Sequence, residues 1–151
     1  MTDYYQKQLQ VGLEYQDFVC EVLLKEFGFP IITYASKKYQ YTKGENKQGI
    51  EIKFQGKMKE YGNLYIETAE KSNERIQEYT KSGIYRDDLC WLFLTGDYET
   101  VYIFSTRHLR ALHRKNRFRE TEPKNIKTSK GFLMSIADAD MFCRKKIKAN
   151  S

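Results

Sequence analysis

The hydrophobic and polar positions follow two periods along the chain. Residues 3 to 27 carry Leu9, Leu13, Val19, Leu23, Leu24 and Phe27 at helical spacing, and Gly28-Phe29-Pro30 ends the run. One long helix is predicted there. Ile31 to Tyr34 reads as a short strand, and the polar, lysine-rich stretch from Ser36 to Gln48 as a loop or weak strand. The period then changes to two. Ile50, Ile52 and Phe54 alternate with Glu51, Lys53 and Gln55; Leu64, Ile66 and Thr68 alternate with Tyr65, Glu67 and Ala69. Glycines 56 and 62 lie between, so the two segments are predicted to pair as a hairpin turning near Lys59.

The second half reads as follows. A helix is expected from about Ala69 to Lys81, stopped by Gly83. Cys90 to Thr95 is an apolar run suited to a buried strand, Gly96 to Thr100 a turn, and Val101 to Phe104 the return strand. Thr106 is expected to cap a basic helix through His113. Residues 114 to 131 read as loop, Phe132 to Met134 as a last short strand. Ser135 and Asp138 have capping-box spacing ahead of a final helix ending near Lys148. This order, without repeat or linker, predicts one α/β (α+β) domain spanning residues 1–151, with a central mixed sheet flanked by helices.

Composition narrows the class. A chain of 151 residues with 40% hydrophobic and 15% aromatic residues can build a core and is not of disordered type. The formal charge of +6 favours an acidic partner such as nucleic acid or an anionic membrane, against the plainer reading of a lysine-rich solvated coat. Cys20, Cys90 and Cys143 are far apart and lack any Cys-x-x-Cys pair, which argues against structural zinc and for free thiols in a reducing cytoplasm. The first ten residues are polar and no apolar run reaches the length of a membrane span, so a cytoplasmic, non-membrane protein is expected.

The chemistry concentrates on the predicted hairpin. With the turn near Lys59, Glu51 faces Glu67 on one side of the sheet, together with Lys53. Opposed like charges are destabilising unless a cation joins them, and oxygen ligands suit magnesium or manganese. Two carboxylates and a lysine are the inventory of metal-assisted phosphodiester hydrolysis. The competing reading is a solvated strand face on which Lys53 screens Glu51.

Gly49-Ile50-Glu51-Ile52-Lys53-Phe54, followed by Gly62-Asn63-Leu64-Tyr65-Ile66-Glu67-Thr68-Ala69-Glu70-Lys71, resembles the active-site hairpin of the restriction-endonuclease-like superfamily, the PD-(D/E)xK nucleases, over roughly residues 9 to 105. The resemblance implies a restriction-endonuclease-like core and a magnesium- or manganese-dependent endonuclease acting on DNA, of small phage or mobile-element type or a resolvase. It implies a homodimer as one arrangement. Glu51 and Glu67 would hold the metal, with Glu14 on the first helix assisting and Asp17 or Glu21 as alternatives. Lys71 or Lys53 would position the nucleophile. The chain departs from the pattern in having Glu51 where Asp is usual, without a preceding proline, and Ala69 where the second acid's lysine is expected. A second register makes Glu51-Ile52-Lys53 itself the (D/E)xK element, with Glu45 the nearest upstream acid. The main alternative is an inactive domain of the same fold that binds nucleic acid or a protein partner; a third is an unrelated interaction protein with a basic face.

Arg107, Arg110, Arg114, Lys115 and Arg117, with Arg119 close by, form a dense basic segment suited to clamping nucleic-acid phosphates. Arg144, Lys145, Lys146 and Lys148 read better as a solvated tail. His108 and His113 lack metal-pair spacing and read as surface residues. Tyr34, Tyr39, Tyr41 and Tyr65 read as sheet-edge residues.

Overall fold

A computed structural model describes residues 3–32, 46–123 and 126–149. The fold is mixed α+β, with two four-stranded sheets and helices against them. Helix α1 (Asp3–Phe27) is followed by β1 (Ile50–Phe54), a one-turn helix α2 (Met58–Tyr61), β2 (Asn63–Glu70), β3 (Thr80–Lys81), a 3-10 turn (Gly83–Tyr85), β4 (Leu92–Gly96), β5 (Thr100–Ser105), α3 (Thr106–Arg114), β6 (Glu120–Thr121), β7 (Ser129–Ser135), α4 (Ile136–Phe142) and β8 (Lys145–Lys148).

The first sheet has the order β1-β4-β5-β8, with β1 parallel to β4 and the other pairs antiparallel. The second is antiparallel, in the order β3-β2-β7-β6. Ile50, Ile52, Leu94, Val101 and Ile147 on one face of the first sheet pack on Tyr15, Val19, Val22 and Leu23 of α1. Phe93, Tyr102 and Phe104 on its other face join Leu64, Ile66, Phe132 and Met134 of the second sheet, with Leu109 and Ala139 from α3 and α4. Strand β4 is therefore covered on both faces, which is why its sequence is a continuous apolar run.

The expected hairpin does not form. β1 pairs with β4, placing Glu51 beside Phe93, and β2 pairs with β7, placing Glu67 beside Gly131. A period of two specifies a strand and its two faces but not its neighbour. The segment between them buries Met58 at 2% exposure, and this anchored helical turn carries the chain from one sheet to the other. One link survives: the Gln55 amide donates to the Tyr65 carbonyl at 2.7 Å and accepts from the Tyr65 N–H at 3.2 Å, as a strand neighbour would.

Two helices also differ from expectation. The Ala69–Lys81 segment is strand to Glu70, then loop, then β3 folding back on Ala69 and Glu70. Its apolar stripe, essentially Ala69 and the exposed Ile76, is too thin to dock a helix, so the ladder with β7 prevails. The last helix stops at Phe142 because Ile147, 3% exposed, is drawn into the core as part of β8. Ser105, not Thr106, caps α3 by accepting from the His108 N–H; Ser135 caps α4 through the Asp138 N–H. Residues 31 and 32 are not strand; Tyr34, Tyr39, Tyr41, Glu45 and most of the 36–48 stretch lie outside the described residues. Among the described residues no helix is long and apolar enough to cross a membrane.

Candidate active site

Glu67 sits on the most constrained stretch of backbone in β2. The register against β7 slips between Glu67 and Ala69, leaving Thr68 as the extra residue of a β-bulge, and Thr68 Oγ1 donates to the Lys130 carbonyl at 3.2 Å. Bulges re-aim side chains and recur beside active sites. Two glycines press on this turn of chain. A Cβ on Gly83, whose φ is +55°, would lie 2.0 Å from the Glu67 carbonyl oxygen; one on Gly131 would lie 2.1 Å from the Ile66 carbonyl oxygen. Both positions therefore need glycine.

The carboxylate is held as firmly as its backbone. Ser82 Oγ donates to Oε2 at 3.1 Å and Ser129 Oγ donates to Oε1 at 2.6 Å. Tyr65 Oη and Ser129 Oγ are 2.7 Å apart. The Ser129 proton is directed to Glu67, so Tyr65 is the donor in that contact, and the chain runs Tyr65 to Ser129 to Glu67. Burial, reinforced by the Glu67 charge, pushes the Tyr65 phenol up to about 12. Ser82 and Ser129 are themselves buried.

Glu67 and Tyr65 line a cleft of about 930 Å³ that spans the end of β1, α2 and one face of the second sheet. Lys53, Gln55 and Lys57 lie on its β1 side; Ser129, Leu133 and Ile126 on its far side. Glu51 does not reach this wall. It is 4% exposed, and its Oε1 lies 3.6 Å from Lys53 Nζ, whose side chain is half-exposed. The structure thus brings Lys53 and Glu67 to one cleft with Glu51 behind Lys53, and does not oppose Glu51 to Glu67 across a strand pair.

The remaining predicted site residues fall elsewhere. Lys71 leaves the end of β2 and lies over the Tyr79 ring at 5.0 Å, away from the cleft lining. Glu14 is exposed and accepts from Gln10 at 3.0 Å; α1 reaches the cleft through Gln8 and Val11 instead. Asp17 and Glu21 are also exposed. The basic segment is divided. Arg110 donates to the Ile84 carbonyl; Arg110 and Arg114 lie over the Tyr85 ring. Arg117 pairs with Asp138 at 3.4 Å and covers Phe118 and Phe142. Arg107, Arg114 and Lys115 are exposed. Neither histidine is a simple surface residue: His113 stacks on Phe132 with Nδ1 2.7 Å from Tyr85 Oη, and His108 packs edge-on to Phe142. Lys146 of the last basic cluster is tied to Asp140 at 2.7 Å. The three cysteines are free.

Among the described residues there is no group of three or more His, Cys, Asp or Glu arranged to hold a metal. The donor chemistry is nonetheless that of a hard cation. A carboxylate offers about four lone-pair positions, and the two serines occupy two of those on Glu67. Magnesium characteristically takes one or two carboxylates and completes its shell with water and phosphate.

Ser82, Ser129, Gly83 and Gly131 escaped sequence reasoning. Ser82 and Ser129 are 15 and 62 residues from Glu67, beyond any local motif. The two glycines carried the one available signal, but a glycine that ends an element and one that admits a carbonyl look the same in sequence. No family model matches the chain, and neither a curated protein nor a solved structure matches it.

Proposed function

We propose that this chain is a magnesium- or manganese-dependent nuclease that hydrolyses phosphodiester bonds in DNA in the cytoplasm, with the cleft at Glu67 and Lys53 as its active site. The observation that carries the reading is the effort spent on one carboxylate: a bulge, two obligatory glycines and two buried hydroxyls hold Glu67 on a cleft wall that also bears lysine. The resemblance of the two strands to the PD-(D/E)xK pattern supports the same chemistry. Glu67 would hold the ion, and a divalent cation there would supply an acidified water and neutralise phosphate charge; Glu51, behind Lys53, stays outside that shell. Lys53 orients the nucleophile or steadies charge developing on the phosphate. Tyr65 and Ser129 fix the direction of the Glu67 lone pairs. Exposed Arg107, Arg114 and Lys115, on the helix that packs against the 3-10 turn beside the cleft, supply phosphate contacts.

A second reading is favoured by one observation: Ala69 stands at the expected lysine position, and Lys71 is engaged with Tyr79. It makes the chain an inactive domain of nuclease type that binds nucleic acid or a protein partner. Cleavage of supercoiled plasmid, a four-way junction and single-stranded DNA, in magnesium or manganese and with an EDTA control, separates the two. The nuclease reading expects metal-dependent cutting that falls roughly a hundredfold or more in Glu67→Gln. It expects a comparable fall in Lys53→Ala and near-normal cutting in Lys71→Ala. Retardation of DNA without cutting of any substrate supports the binding domain.

A further inference from the structure

The outer face of the second sheet is apolar where water would favour polar residues. Leu64 and Ile66 of β2 enter the core, so Asn63, Tyr65 and Glu67 take the other face. Tyr65 stands opposite Leu133 of β7, and Glu67 opposite Gly131. An antiparallel sheet packed on one side normally turns polar side chains to solvent on the other. Here Leu133 on that outer face is 41% exposed and lies beside Tyr65. Both line the cleft at Glu67, together with Ile126 and Tyr61 at 43% and 65% exposure. Exposed Leu9, Leu13 and Leu24 give α1 a second apolar face, but these residues lie outside the cleft.

Two kinds of surface thus meet in one concave site. One is an apolar and aromatic floor; the other is a flank that bears Lys53 and Lys57. A volume of about 930 Å³ lies within the roughly 300–1,000 Å³ of sites that enclose one small organic ligand. A nucleotide freed from its stack is divided in the same way, with a charged phosphate at one end and a flat ring at the other. A closed duplex is not: it turns its phosphates outward and keeps the ring faces stacked inside. Against a duplex, Tyr61, Leu133 and Ile126 would meet only charge and water. We propose that the cleft takes a nucleotide of an unpaired DNA strand, with its base on the apolar surface of Tyr65, Leu133 and Tyr61 and its phosphate toward Lys53, so that the substrate is single-stranded or splayed DNA rather than closed duplex. The placing of the phosphate rests on the nuclease reading; the placing of the base rests on the apolar floor. Every base has a ring face that an aromatic side chain can stack on, so little sequence preference is expected.

The test reads binding apart from cleavage and uses the full chain. Fluorescence anisotropy of a short labelled oligonucleotide is measured in calcium, once as a single strand and once as a blunt duplex with its complement. The strand is expected to bind about tenfold or more tightly than the duplex. Tyr61→Ala and Leu133→Ser are each expected to weaken strand binding about tenfold and to leave duplex binding unchanged. Both positions are exposed, and far-ultraviolet circular dichroism checks that the fold is kept. Equal or tighter binding of the duplex, no binding of the strand, or strand binding indifferent to both variants overturns the proposal. Cleavage keeps its failure apart from that of the nuclease reading. Metal-dependent cutting of relaxed duplex as fast as of single strands overturns the unpaired-strand site and leaves the nuclease standing. Strand binding that depends on Tyr61, with no cutting in magnesium or manganese, overturns the nuclease and supports the unpaired-strand site.

Discussion

Glu51 and Glu67 stand on strands of the same alternating pattern, yet they occupy opposite kinds of site. Glu51 is 4% exposed and answered by a half-exposed lysine 3.6 Å away. Its strand is regular and its neighbour Phe93 belongs to the core between the sheets. Glu67 is only partly buried, faces a cleft, and is answered by hydroxyls rather than by a cation. Its strand is bulged and pinned by glycines. The first arrangement neutralises a charge. The second holds a charge in a set direction and leaves lone pairs for something else, which is the arrangement a ligand site requires.

The largest effect expected from breaking this contrast is Gly131→Ala. The new Cβ would fall 2.1 Å from the Ile66 carbonyl oxygen and 2.9 Å from the Glu67 Cα, both backbone atoms that cannot turn aside. Destabilisation of about 3 kcal/mol or more is expected in denaturant unfolding, and under the proposed nuclease reading the metal-dependent cutting is lost even where folding is retained. A change below about 1 kcal/mol would show that the β2–β7 contact yields easily and that Glu67 is not rigidly held.

A smaller effect sharpens the description of Glu51. Lys53→Met removes the cation beside a buried carboxylate, whereas Glu51→Gln removes the buried charge and leaves a lysine that can turn to water. The first is expected to cost about 2–3 kcal/mol and the second about 1 kcal/mol or less. Equal costs in a denaturant series would mean that the ion pair is not what accommodates Glu51.

The smallest effect is confined to alkaline pH. The Tyr65 phenol titrates near 12 in the folded chain and near 10 when unfolded. Its contribution is therefore complete below pH ~10 and is lost as pH rises toward ~12, because the unfolded chain releases the proton first. Tyr65→Phe should flatten the decline of stability across that window relative to the unmodified chain. Tyr15 and Tyr102, also raised by burial and by Asp97 and Asp140 respectively, keep the remainder of the slope. An unchanged slope would show that the Tyr65 phenol is not buried as described, since burial is the main cause of its raised pKa.

Much of the secondary structure was legible in the sequence. The first helix ends at Phe27 as expected, because Gly28 takes a φ of +63° directly after it. The alternating runs at 50–54 and 63–70 are strands, and the 92–96 and 100–105 runs are an antiparallel pair. The mixed α/β class followed from that order. The candidate site was legible only in part. Lys53 and Glu67 were identified by residue type and period, but the opposed pair was not real, Lys71 and Glu14 point away from the cleft, and the serines on Glu67 had no signal.

What the sequence determined by itself is local: where backbone pattern, caps and glycines start and stop each element, and which side chains share a face. The tertiary structure alone decided which strand each strand joins, which of two apolar faces of α1 is core, and which hydroxyls meet a carboxylate. The physical reason is range. Helical and strand periods arise from bonds within one segment, whereas strand pairing and burial depend on what else is available to cover an apolar face. β1 had a largely apolar β4 to join, β2 had β7, and both faces of α1 are apolar enough to have served.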